Sequence, residues 1–168
     1  MSKVFIKENF FPVDVYNQIT QEMFSVEYIA PPEDLREALE GSYWHEHKLL
    51  EQSDVGVVTK KLIKDNFKFN IKQLNLKYTM VGASDIPRPH VDSSTGATHQ
   101  CLIHMYGEEA VNNGTGFYHK KENDELELSI HVGFKPNRAI FFSSDVYHAP
   151  LQWAGNGSWR YSLATFFF

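Results

Sequence analysis

Arg88-Pro89-His90-Val91-Asp92 sets an imidazole and a carboxylate two residues apart in the mostly aromatic, β-rich half of the chain. On a strand, positions two apart point to one face, so His90 and Asp92 converge on a single point. Two such groups make two-thirds of a metal site, and the third must be brought in by the fold. His148, in Asp145-Val146-Tyr147-His148-Ala149-Pro150, stands at a suitable distance along the sequence. Two neutral imidazoles and one carboxylate on one face of an octahedron leave three positions open. Arg160 is a second anchor. Its planar, permanently charged fork suits bidentate capture of a carboxylate, and Ser162, on the same strand face, adds a hydroxyl donor.

The ordered set His90-x-Asp92, His148 and Arg160-x-Ser162 resembles the signature of the 2-oxoglutarate- and Fe(II)-dependent dioxygenases, especially their prolyl-hydroxylase-like branch. His148 follows Asp92 by 56 residues, and Arg160 follows His148 by 12. Asn113-Gly114-Thr115-Gly116-Phe117 is close to, though not identical with, a Gly-Gly-Thr-x-Phe-like element of that family. The resemblance covers residues 69–168 well and the N-terminal part loosely. It implies a double-stranded β-helix with iron near one open end, held by His90, Asp92 and His148. It also implies 2-oxoglutarate as co-substrate, with Arg160 on its distal carboxylate. Ser162, Tyr106 and His104 are further candidates on that side, and Tyr78 is a weaker one. The reaction implied is hydroxylation of an amino-acid side chain, peptidyl or free, or of a small metabolite, with release of succinate and CO2. An acid at Asp92 favours hydroxylation over halogenation, and demethylation by hydroxylation stays open.

Other readings compete. His90 and Asp92 could be a surface hydrogen-bonded pair, His148 a core histidine, Arg160 a structural ion-pair residue and Tyr106 a packing residue. At the level of function, one alternative is a non-catalytic jelly-roll binding module without iron. Another is a cupin-like metalloenzyme using His45-x-His47, which offers no partner for Arg160. His99, His119 and His131 are assigned to no metal.

The chain has 168 residues, 42% hydrophobic and 14% aromatic, enough for one sizeable core, so we expect a single domain over 1–168. A net charge of −5 lacks the electrostatic footprint of nucleic-acid or anionic-membrane binding. The expected partner is instead a peptide or small-molecule substrate, with oligomeric state open. The single cysteine, Cys101, excludes an internal disulfide and fits a reducing compartment. With no leader and no membrane span legible, a cytoplasmic protein is expected.

Along the chain, Val4 to Phe11 reads as a strand stopped by Pro12, and Asp14 as the cap of a helix carrying Val15, Ile19 and Met23. Val26 to Ile29 suggests a short strand, and Leu35 and Leu39 a short helix closed by Gly41. Ser53 caps a helix through Ile63 with its lysines outward. From Leu74 the period becomes two, with Leu74, Leu76, Tyr78 and Met80 on one face. Pro87 and Pro89 stiffen the approach to His90. Thr98–Tyr106, Leu126–Val132, Ala139–Phe142 and Trp159–Phe168 complete the strands. Leu102, His104 and Tyr106 share a face, opposite Cys101, Ile103 and Met105. Helical support over 12–66 and strands over 69–168 predict an antiparallel double-sheet jelly roll flanked by helices, of the mainly β, α+β class.

Overall fold

The computed structural model describes residues 4–30, 32–33, 44–82, 89–110, 112–151 and 159–168. The strands are β1 (Phe5–Lys7), β2 (His45–Leu49), β3 (Leu74–Val81), β4 (His99–Tyr106), β5 (Gly114–Lys120), β6 (Leu126–Gly133), β7 (Arg138–Ser143), β8 (Tyr147–Leu151) and β9 (Arg160–Phe167). Helices α1 (Val13–Ser25) and α2 (Asp54–Phe67) lie among the first of them. The short helix expected around Leu35 and Leu39 and the turn at Trp153 to Gly157 fall outside the described residues.

The strands form two antiparallel sheets, a six-stranded one in the order β1-β7-β4-β9-β3-β2 and a three-stranded one in the order β6-β5-β8. Strict alternation sorts each large-sheet strand onto two faces. Leu74, Leu76 and Tyr78 of β3, Cys101, Ile103 and Met105 of β4, and Leu163 and Phe167 of β9 join Ile19 and Met23 of α1 and Val55 and Ile63 of α2 in one core. Between the sheets, Ile140 and Phe142 of β7 meet Phe117 of β5 and Val132 of β6 in a smaller core. Toward one end this inter-sheet space opens into a cavity.

Local chemistry accounts for most element ends. The Ser53 hydroxyl accepts from the Gly56 amide at 3.2 Å and caps α2. Helix α1 starts two residues earlier than expected, at Val13 behind Pro12, with no side-chain cap, so Asp14 sits in the first turn, where its charge suits the helix dipole. Strand β1 ends at Lys7, and Phe10 and Phe11 turn inward to be buried. Only Ile29 of the Val26–Ile29 stretch pairs, through a bridge to Glu46. No helix among the described residues is long and apolar enough to cross a membrane.

Candidate active site

His90 and His148 face one another across an antiparallel bridge, each amide donating to the other's carbonyl at 3.0 and 2.9 Å. Directly opposed residues of an antiparallel pair project to the same side, so their rings come together with centroids 4.5 Å apart. The Asp92 amide donates to the Ser144 carbonyl at 2.9 Å, which fixes its carboxylate on that side. The ligand atoms of His90, Asp92 and His148 all lie within 4.8 Å of one another, a separation that one ion can bridge. Phe142 and Phe117 back the His148 ring, and Trp44 stacks over His90 at 6.2 Å.

The donor chemistry fits a cation. His148 Nδ1 lies 3.0 Å from the Val146 carbonyl and donates to it, so in the neutral ring Nε2 presents a lone pair, and in the protonated ring an N–H. Nε2 faces Asp92 Oδ2 across 3.3 Å. Nε2 of the neutral ring and a carboxylate oxygen at that separation need a proton or a metal ion between them. Burial pushes the Asp92 carboxyl up, but the hydrogen bond and charge of His148, with His90 and Gln100, outweigh it and hold the group below its ordinary 3.8. Gln100 Nε2 donates to the same Oδ2 at 2.9 Å. Such outer hydrogen bonds orient metal-binding carboxylates.

Farther into the cavity lies Arg160, 6% exposed, with Ser162 beside it along β9. Its Nη1 donates to Asn113 Oδ1 at 3.2 Å and to the carbonyl of Gly114, and its Nε has no partner. Its plane lies over the Phe134 ring, 5.9 Å from the centroid. No carboxylate pairs with it among the described residues. A buried guanidinium served only by neutral acceptors is costly, and burial lowers its pKa to about 10. This cavity thus holds a charge that an incoming anion would satisfy.

His104, fully buried, sits one layer behind. Its Nδ1 accepts from the Lys135 amide at 3.4 Å, so Nε2 carries the hydrogen and faces Thr115 Oγ1 at 3.3 Å. Burial, then the charges of Arg160 and Arg138, holds the imidazole well below its ordinary pKa, hence neutral. His104 meets the cavity through Thr115, which lines the wall beside Arg160.

Tyr106 and Tyr78 are elsewhere, which corrects the expectation for both. The register of β4 against β9 shifts between His104, opposite Ser162, and Tyr106, opposite Tyr161. This β-bulge turns Tyr106 to the helix side, where it is 52% exposed and packs on Phe24 and Tyr161. Tyr78 also faces the helices, its hydroxyl donating to Glu22 at 3.1 Å. Strand β3 instead presents Lys77, Thr79 and Val81 to the cavity. His45 and His47 pair with Met80 and Tyr78 in register, on the face opposite to His90, so they form no second metal site with it. Gln100, Thr115, Trp44 and Lys77 went unassigned from sequence. Gln100 was the most accessible, since it shares the two-residue parity of Leu102 and His104.

No protein-family model and no curated protein matches the chain by sequence. Solved structures do match it. A Pseudomonas putida prolyl-4-hydroxylase superposes with TM-score 0.62 at 12% identity, covering 99% of this chain and 93% of that one. A prolyl hydroxylase from Trichoplax adhaerens, in complex with a hypoxia-inducible-factor peptide fragment, gives 0.66 at 14% over 98% and 83%. The non-haem α-ketoglutarate-dependent epimerase SnoN from nogalamycin biosynthesis gives 0.72 at 8% over 99% and 78%. What these proteins share with the chain is architecture. With two antiparallel sheets enclosing a His-Asp-His cluster, this chain has the double-stranded β-helix fold of the 2-oxoglutarate- and iron(II)-dependent oxygenases.

Proposed function

We propose that this protein is a 2-oxoglutarate- and Fe(II)-dependent dioxygenase that hydroxylates an amino-acid side chain, peptidyl or free, or a small metabolite. One observation carries the reading: a three-donor cluster and a buried guanidinium without a counter-anion share a single cavity. A structural cluster would need no such cation behind it. SnoN has also been solved with Fe3+ and α-ketoglutarate, and HygX from Streptomyces hygroscopicus with nickel and 2-oxoglutarate, which supports the same pair of ligands here. Iron, when bound with 2-oxoglutarate and dioxygen, supplies oxidation of an unactivated C–H bond coupled to release of succinate and CO2.

The chain's own residues do the holding and shielding. His90, Asp92 and His148 are the metal ligands in this reading. The Val146 carbonyl fixes the His148 tautomer, and Gln100 fixes Asp92. Arg160 receives the distal carboxylate of 2-oxoglutarate, with Ser162 and Thr115 lining the same recess. Phe117, Phe142 and Trp44 surround the histidines and exclude bulk water from the oxidising centre.

The test is succinate formation from 2-oxoglutarate by anaerobically iron-loaded protein, across a panel of peptides and free amino acids. Wild type is expected to form succinate, and His148→Ala to lose at least a hundredfold of the rate. Iron-replete protein that neither binds nor consumes 2-oxoglutarate would sink the assignment and leave a binding module.

A further inference from the structure

We propose that the groove adjoining the active-site cavity is an anion subsite, in which Lys48 and Lys77 receive a carboxylate or phosphate of the substrate while its body lies against Trp44 and Phe166. That its ligand is the substrate rests on the function proposed above.

Lys48 of β2 and Lys77 of β3 stand directly opposite each other in the antiparallel register. Like charges in that position repel and cost stability unless an anion stands between them. Both line a groove of 440 Å³ that also includes Asp92, Trp44, Phe166 and Phe168. The metal-ligand candidate Asp92 and the two cations thus line one groove, and Lys77 also lines the cavity that holds His90 and His148. That volume suits a small molecule or one side chain.

The compensation is incomplete. Glu46 is 2.5 Å from Lys77, and the charge of Lys48 acts on the same carboxylate. Asp92, an acid lining the groove, is committed to the metal in the function proposed above, so the two lysines share the single charge of Glu46 in a protein whose net charge is −5. Lys48 is exposed and forms no ion pair among the described residues. Lys77 is held in place, its Nζ lying between the Trp44 ring at 5.4 Å and the Phe166 ring at 5.5 Å. Trp44 Nε1 donates to Glu46 at 3.3 Å, so the aromatic wall and the cation are fixed together. An acid bound here ends its repulsion and stacks on surfaces already ordered. A lysine on an edge strand also deters strand addition from solvent, but that duty does not require it to line a groove opposite another lysine.

The experiment uses Zn(II)-loaded protein with saturating 2-oxoglutarate, so that the recess at Arg160 is filled. Metal and 2-oxoglutarate binding are measured first by calorimetry. Phenylacetate, phenyl phosphate and the neutral phenylacetamide are then titrated, with calorimetry and the indole N–H resonance of Trp44, assigned with Trp44→Phe, as readouts. At least one anion is expected to move that resonance and to bind about tenfold more tightly than the amide. Lys48→Gln should weaken that anion several-fold without altering amide binding, and Lys48→Glu should abolish it. The stronger of the two anions identifies the group recognised. Equal affinity for acid and amide, or anion affinity indifferent to both Lys48→Gln and Lys77→Gln in variants with unchanged circular dichroism, overturns the subsite. A lysine that only protects the edge would lose solubility and not affinity, which also counts against it. Loss of metal or 2-oxoglutarate binding with the anion effects intact overturns the oxygenase reading instead.

Discussion

Gln100 and His104 sit on one strand face and do opposite kinds of work. Gln100 touches a candidate ligand directly, and outer-sphere hydrogen bonds of this type are worth about 10–100-fold in metal affinity. Gln100→Leu is therefore expected to weaken metal binding by that factor with little loss of fold stability, as read by competitive metal titration. His104 is buried and neutral, with a pKa held well below 6.5 by burial and by Arg160 and Arg138. As pH falls through 6.5 the unfolded chain takes up a proton that the folded chain refuses, so stability is lost below that pH and level above it. In denaturant unfolding at pH 7.5 and 5.5, His104 should contribute up to about 1.4 kcal/mol per pH unit to the loss in wild type, and His104→Gln should lose less by that share. His90, Asp92, His148 and Arg160 could be picked out in sequence because metal ligands and a carboxylate fork need rare residue types at fixed parity. Gln100 and Thr115 were not, because an amide or hydroxyl facing a cavity has the same sequence appearance as one facing water.

At the level of elements, the turn Lys135-Pro136-Asn137-Arg138 is more than a connection. Asn137 adopts φ 60°, and its side chain both accepts from the Phe11 amide at 2.8 Å and donates to the Phe11 carbonyl at 2.9 Å. Its own amide donates to the His104 carbonyl at 2.8 Å. One residue so ties the chain after β1 to the start of β7 and to β4. Asn137→Ala removes two part-buried hydrogen bonds and sets alanine in the left-handed region, an expected loss of about 2–4 kcal/mol by denaturant unfolding, whereas Asn137→Asp retains the acceptor and should lose less. Period-two alternation made β3, β4 and β9 legible, and the serine cap made α2 so. Strand β8 was not legible: Tyr147-His148-Ala149-Pro150-Leu151 is short, contains a proline and alternates nothing, and it exists because β5 and the His90 bridge supply its hydrogen bonds.

Across the whole molecule, the groups that would bind ligands line one cavity between the two sheets, so filling it should stabilise the fold. Metal with 2-oxoglutarate at a hundred times its dissociation constant adds about 2.7 kcal/mol, a rise of several degrees in Tm by scanning fluorimetry. Arg160→Met should keep the metal part of that rise and lose the part due to 2-oxoglutarate. The jelly-roll class is legible because short strands separated by turn signals fill residues 69–168 while the helices are confined to the first part of the chain. Sequence patterning could not supply the bulge before Tyr106, since an extra residue in a strand leaves no mark until its partner strand is known. That single offset carries an evolutionary implication: lengthening or shortening β4 by one position swings a phenol between chamber and exterior while every ligand stays put. Indels here can refit the far wall for a new guest without touching the catalytic hardware.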